Sequence, residues 1–326
     1  MKILVLQSRM GIGDMVIYLP FIEAIAKKFN TKVSILVKEN SKANEIINNN
    51  EYIENLIYLR RSNKLNNEKH DGIIGSFNLA NDLKKLEFDK IFIFNSSLRY
   101  NLIARFCGIK EIYQYPLFKK KNQHIIKAAQ TFLKNTLDLD VESNPQISIS
   151  ENEILNAKKK FNINNHTLNI LLGTGGSGPN KRISSKIYRK FIDLCNSKYN
   201  CRFFVATGKN QDEQKILNEI IAGNEKKFTR LDDFSIREIL PVIKNCLLSI
   251  CNDTSFSHLS AAMGIETIVL FADTATLYGD YSTRMHPISP DNNLYKNENL
   301  LPKDKINPQE IFNKFENILT NLNFSK

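Results

Sequence analysis

Tryptophan is absent from the 326 residues, and glycine is scarce at 13. Cysteine is sparse as well. The five, Cys107, Cys195, Cys201, Cys246 and Cys251, form no CxxC pair and have apolar neighbours. They read as reduced, buried thiols, not as a zinc site or a disulfide framework. Long apolar runs are missing too: nothing approaches the roughly 18 to 20 apolar residues that span a bilayer. The opening MKILVLQSRMGIGD lacks the apolar region of about 7 to 15 residues and the small-residue cleavage site of a secretory signal. A cytoplasmic protein is the expectation. No nucleic-acid-binding motif or interleaved basic-aromatic patch occurs, so nucleic acid is not an expected partner.

What is present is a globular composition. At 42% hydrophobic and 24% charged, the chain can bury a core, which excludes disorder, collagen and coiled coil. The net charge is 45 − 34 = +11, and it is uneven. Residues 1–150 carry 22 basic and 15 acidic side chains. Arg60 to Leu137 alone holds 15 basic and 6 acidic, a net of +9. That segment suits an anion or an anionic surface; solubility of a Lys- and Asn-rich chain is the plainer alternative.

Short apolar runs alternate with amphipathic ones, the pattern of an α/β protein. Strands are expected at Ile3–Leu6, Val33–Val37, Leu56–Leu59, Lys90–Phe94 and Ile109–Tyr113. Helices are expected at about Asp14–Phe29, Leu98–Phe106 and Ile125–Leu137. Pro20 predicts a kink or a late start in the first of these. The acidic, Pro-containing stretch Asp138–Ser150 has no helical period and reads as the domain boundary, with domains 1–145 and 146–326. Beyond it, strands are expected at Leu168–Leu172, Arg202–Ala206, Lys227–Arg230, Cys246–Ile250 and Thr267–Phe271. Helices are expected near Ser184–Lys198, Gln211–Ala222, Ser235–Ile243, Ser255–Met263 and Pro308–Leu322. Ligands of such sheets bind off the carboxyl ends of the strands.

Three turns stand at strand ends. Ser8-Arg9-Met10-Gly11-Ile12-Gly13-Asp14 follows the first strand. Val16 stands where a dinucleotide fingerprint needs a third Gly or Ala, so Asp14 reads either as a helix N-cap or as a general base. Gly173-Thr174-Gly175-Gly176-Ser177-Gly178-Pro179-Asn180-Lys181-Arg182 contains a literal GxGxxG. Pro179 and the late helix defeat the Rossmann and Walker readings. What survives is a loop rich in exposed N–H groups with two cations, suited to a diphosphate, or a plain flexible loop. The third turn, Asn252-Asp253-Thr254-Ser255-Phe256-Ser257-His258, supplies three good N-cap residues and sets Ser255 and His258 on one helix face. It reads as a phosphate-receiving helix start or as a capped helix with a structural His. A Ser–His hydrolase is disfavoured, since no GxSxG elbow occurs.

Together these turns resemble glycosyltransferase family 9, the heptosyltransferase family of lipopolysaccharide core assembly. The stretch RMGIGDMVIYLPFIEAI is similar to its start, and NDTSFSHLSAAMGIETIVLFADTAT to its second signature, DTG, two variable residues, HLAAALG and a strand ending near FGPT. The resemblance runs in order from residue 1 to about residue 280. It implies a GT-B fold: two Rossmann-like domains with mostly parallel sheets facing a central cleft. The acceptor would lie on 1–145 and a nucleotide-sugar on 146–326, with the C-terminal helix packing back on the first domain. It also implies inverting, metal-independent transfer to a hydroxyl of a bacterial surface glycolipid or polysaccharide.

By motif, Asp14 matches the catalytic base, and Arg9, Gly11 and Gly13 the acceptor side. Thr174, Gly175, Gly176, Lys181, Glu213 (or its neighbour Asp212), Asp253, Thr254, Ser255 and His258 match the donor side. No cofactor or metal is implied, because the nucleotide-sugar, ADP-heptose among the candidates, is a substrate. An anionic acceptor at the cytoplasmic face of the inner membrane suits the basic first half. Asp138-Leu139-Asp140 spells a DxD but follows no strand, so it reads as surface charge. Ser255 replaces the family's usual Gly, and Ala272-Asp273-Thr274 its Gly-Pro-Thr, changes that bear on donor choice. Two other readings stand beside the transferase: a nucleotide-sugar epimerase of similar architecture, and a catalytically silent nucleotide-sugar-binding protein.

Overall fold

The computed structural model describes residues 1–62, 68–117, 124–164, 166–271, 281–290 and 305–323. The chain divides into two compact units, Met1–Pro145 and Gln146–Lys326. Residues 138–150 carry no helix or strand.

The first unit is one parallel sheet. Its strands are β1 (Ile3–Leu6), β2 (Val33–Val37), β3 (Ile53–Tyr58), β4 (Lys90–Ile93) and β5 (Glu111–Gln114), in the order β3-β2-β1-β4-β5. Every residue of β1 and β2 is buried, because a parallel sheet is covered on both faces by its crossover helices. Those helices are α1 (Ile12–Phe29), α2 (Ala43–Ile46), α3 (Gly72–Lys84), α4 (Leu98–Phe106) and α5 (Ile125–Leu137). Leu79 and Leu83 of α3 and Ile103 of α4 fill one core with Leu4, Leu6, Ile91 and Ile93.

The second unit repeats the plan. Its strands are β6 (Leu168–Gly173), β7 (Cys201–Ala206), β8 (Phe228–Arg230), β9 (Leu248–Asn252), β10 (Glu266–Leu270) and β11 (Met285–Ile288). Their order is β11-β10-β9-β6-β7-β8, all parallel. The helices are α6 (Glu151–Lys160), α7 (Ser185–Lys198), α8 (Gln211–Ile221), α9 (Ile236–Lys244) and α10 (Ser255–Ala262), before a final helix Pro308–Asn321. Among the described residues, no helix is long and apolar enough to cross a membrane.

Several expectations change here. The first helix starts at Ile12 and runs on through Pro20, so there is no late start. α2, α3, α6 and β11 were not legible in the pattern. Within the second unit, the final helix packs against the core by its apolar face. Phe315 stacks edge-on against Phe191 of α7 at 5.7 Å, and Ile311, Ile318 and Leu319 join the second unit's core. All five cysteines are free; four are buried, and Cys107 is half-buried.

Candidate functional site

In each sheet the connections leave in opposite directions from two neighbouring strands: β1 and β4 in the first, β6 and β9 in the second. At such a switch point the carboxyl ends open a crevice, the usual ligand position in open α/β sheets. The turns singled out above follow β1, β6 and β9. Strand order thus brings the Gly-rich loop and the Asn252–Ser255 turn side by side.

The Gly-rich loop is pinned. Asn252, the last residue of β9, is fully buried. Its amide donates to the carbonyls of Thr174 at 2.8 Å and Gly175 at 3.0 Å. Its Oδ1 accepts from the Tyr188 hydroxyl of α7 at 2.8 Å. From the other side, Glu213 in the first turn of α8 accepts the Gly176 N–H at 2.7 Å, while its other oxygen meets the Asn210 amide. The glycines are small for space. A Cβ at Gly173 would lie 2.6 Å from Cys251 Sγ, and one at Gly175 would lie 2.8 Å from Glu213 Oε1.

This corrects the picture of a loop of exposed, open N–H groups. Thr174, Gly175 and Gly176 are buried. The Thr174 N–H goes to Ala206 O at 3.0 Å, and the Gly176 N–H to Glu213. Gly178 has open space around its α-carbon and starts a short turn over Pro179–Lys181.

Lys181 then reaches across. Its Nζ lies 2.8 Å from Asp253 Oδ2 and donates to the Asp253 carbonyl at 3.4 Å. Asp253 is nearly enclosed, so the pair is largely desolvated and strong only while both partners are present. Asp253 Oδ1 is 4.0 Å from His258 Nε2, and His258 Nδ1 is 2.8 Å from the Tyr281 hydroxyl, the two rings stacked. Burial, then the Asp253 charge, raises the Tyr281 pKa far above the ordinary phenol value, so its hydroxyl stays protonated. His258 is therefore oriented from both sides.

Thr254 caps α10 by its backbone, without a side-chain cap bond. The hydroxyls of Thr174 after β6, Thr207 after β7 and Thr254 after β9 are buried. None finds a hydrogen-bond partner among the described residues. Buried hydroxyls are normally satisfied; those of Ser249, Ser260 and Ser289 likewise find no partner among the described residues, but the three threonines stand together at the carboxyl ends of β6, β7 and β9. Ser255 opens α10 beside them. Arg182 donates to Gly176 O at 3.1 Å and pairs with exposed Asp212 at 2.9 Å. Of the two acids considered there, Glu213 faces the loop and Asp212 faces Arg182.

In the first unit, Asp14 is the third residue of α1 and not its cap; Gly11 holds that position. Asp14 Oδ2 accepts the Gly11 N–H at 3.1 Å, and Oδ1 accepts Arg9 Nε at 2.7 Å. A Cβ at Gly11 would lie 2.8 Å from that carboxylate. Gly13 is buried in the first turn. The DxD aspartates, Asp138 and Asp140, are exposed and both pair with Lys134. Ala272-Asp273-Thr274 lies outside the described residues. Among the described residues, no group of three or more His, Cys, Asp or Glu is arranged to hold a metal ion.

Asn252, Tyr188, Thr207, Asn210 and Tyr281 join the site without having been foreseen. Asn252 had a signal, a polar residue closing an apolar strand. Tyr188 and Tyr281 had none.

Residues 77–312 match the family model for glycosyltransferase family 9 (heptosyltransferase). No curated protein matches in sequence. A glycosyltransferase family 9 structure from Veillonella parvula is similar, with TM-score 0.80 at 16% identity over 98% of this chain and 97% of that one. E. coli ADP-heptose lps heptosyltransferase II gives 0.75 at 17% identity over 99% and 100%. E. coli heptosyltransferase WaaC with ADP gives 0.69 at 15% identity over 98% and 100%. The two parallel sheets match the GT-B fold of these heptosyltransferases.

Proposed function

The chain belongs to glycosyltransferase family 9, and from that premise we propose that it transfers a heptose or related sugar from a nucleotide-diphosphate-sugar to a hydroxyl of an anionic bacterial glycolipid or saccharide, with inversion and without a metal ion. Family membership sets the epimerase reading aside. WaaC has been seen with ADP and with ADP-2-deoxy-2-fluoro heptose, which makes an adenine nucleotide the first donor to try.

The reading rests on one observation above all: three buried threonine hydroxyls at the carboxyl ends of β6, β7 and β9, without a hydrogen-bond partner among the described residues, beside the Lys181–Asp253 pair. Thr174, Thr254 and Ser255 receive diphosphate oxygens, with Gly175 and Gly176 admitting them closely. The start of α10 adds its partial positive charge. Lys181 offsets charge building on the leaving diphosphate, while Asp253 and His258 hold it in place. Glu213 braces the loop and retains acceptor capacity for a ribose hydroxyl. Arg9, Gly11 and Gly13 shape the acceptor side, and Arg9 and the Gly11 N–H orient the Asp14 carboxylate. Asp14 takes the acceptor hydroxyl's proton. That oxygen forms its bond to the anomeric carbon as the bond to the diphosphate breaks, and the nucleoside diphosphate leaves from the opposite face.

Thermal unfolding with ADP, UDP and GDP at millimolar concentration tests the donor half. A ligand at a hundredfold excess over its Kd stabilises the native state by about 2.7 kcal/mol. If none raises Tm, the donor site is wrong. Asp14→Asn tests the base: turnover should fall about 10²- to 10⁴-fold with the nucleotide shift retained. Unchanged turnover removes Asp14 from the chemistry.

A further inference from the structure

The first unit carries an apolar groove that the site above does not use. It lies between α3 and α4, encloses about 560 Å³ and is lined by Ile73, Phe77, Leu98, Leu102 and Phe106 with Arg99. Its rim is unusually open for such side chains: Ile73 is 79% exposed, the adjacent Ile74 77% and Phe106 60%. Leu98, Leu102 and Phe106 recur every four residues, so one stripe of α4 faces outward. Across the groove, the Phe77 and Phe106 rings are 5.6 Å apart. A cluster of this size on the surface of a chain marks a contact surface.

Two further observations say what covers it. The first is charge. The segment that includes both helices has 15 basic and 6 acidic residues. Lys84, Lys85 and Arg105 are exposed on α3 and α4 or at their ends; of the acids on and just after α3, Asp82 is paired with Lys69 and Glu87 is exposed. The second is position. α3 and α4 both lead away from the carboxyl ends of the strands, so their first turns lie at the same sheet edge as the turn bearing Asp14. The link is direct: Asn95, just before α4, donates to Ser8 Oγ in that turn at 2.8 Å.

We propose that the α3–α4 face docks on an anionic phospholipid bilayer, with Ile73, Ile74, Phe77, Leu102 and Phe106 entering the interface and the basic side chains resting on the headgroups. This deepens the reading of a glycolipid acceptor: it sets the Asp14 edge of the first unit at the membrane, where a lipid-held hydroxyl is presented. Apolar area and basic charge act together in such docking, and neither alone holds a protein firmly.

The test is co-sedimentation of the full chain with vesicles of phosphatidylcholine alone and of phosphatidylcholine mixed with phosphatidylglycerol. The wild type should pellet with the anionic vesicles only, and salt should release it. Ile73→Ser with Phe106→Ser should lower vesicle binding at least about tenfold. Lys85→Gln and Arg105→Gln should each lower it about fivefold. These side chains are exposed, so Tm and the nucleotide-induced shift should stay as in the wild type. That shift keeps a failure here distinct from a failure of the donor site. Vesicle binding unchanged in the Ile73/Phe106 variant overturns the proposal, as does a wild type that binds no vesicle. A concentration-dependent dimer abolished by the same variant also overturns it, by making a second copy the occupant.

Discussion

A methyl group at Gly173 would stand 2.6 Å from Cys251 Sγ and 2.9 Å from Phe256 Cβ, so strand end, neighbouring strand and helix meet there without room for a side chain. Gly173→Ala should cost about 1–3 kcal/mol, as overpacking does, read as a lower urea midpoint at unchanged slope. His70 gives a pH dependence. Its Nδ1 accepts the Arg60 N–H at 3.0 Å, and its Nε2 faces Asp82 at 3.1 Å, which fixes the neutral tautomer protonated on Nε2. Burial, outweighing the Asp82 contact, lowers its pKa. The unfolded chain therefore binds this proton more readily. Stability from His70 is full above about pH 6.5, the unfolded value, and is lost as pH falls through the lower folded one. Urea midpoints at pH 7.5 and 5.5 should differ more in the wild type than in His70→Gln.

At the scale of elements, β9 and the Gly-rich loop form one unit through Asn252. Asn252→Ala would take the side-chain donor from the buried Thr174 and Gly175 carbonyls and leave the Tyr188 hydroxyl only its 3.4 Å contact with Gly173 O. A loss of about 1–3 kcal/mol is expected, with weakened nucleotide binding in the same thermal-shift assay. Tyr188→Phe removes one bond and should cost less. The helices show why local pattern was an uneven guide. The sequence GIIGSFNLANDLK of α3 has two glycines and two asparagines, poor helix formers. It is helical because Leu79, Ala80 and Leu83 pack into the core, a tertiary gain that propensity does not report. Pro20 is the converse. Met15, Val16, Ile17, Leu19, Phe21 and Ile22 around it are all buried, and that packing carries α1 past its missing N–H.

At the scale of the molecule, folding buries Cys195, Cys201, Cys246 and Cys251 and half-buries Cys107, although a hydrogen bond from Cys195 lowers the Cys201 pKa. Burial pushes Cys251 up to about 12 and half-buried Cys107 up to about 11. Since the thiolate is the nucleophile, iodoacetamide at pH 7.5 should label the native chain slowly and all five cysteines quickly in urea. Intact mass counts the adducts; rapid native labelling at Cys251 would contradict the packing of β9 against Gly173.

The sequence by itself determined two α/β halves, the break near residue 145 and the three strand-end turns of the candidate site. Each of these is written in short-range pattern: apolar runs, capping residues and glycine clusters within about fifteen residues. Only the tertiary structure decided the strand orders, and with them which turns become neighbours. It also decided that Asn252 pins a loop 77 and 78 residues away, that Tyr188 braces Asn252 from 64 residues away and that Tyr281 orients His258 from 23 away. Such contacts form because burying a polar atom demands a partner, and the fold chooses that partner from whatever chain it brings within reach.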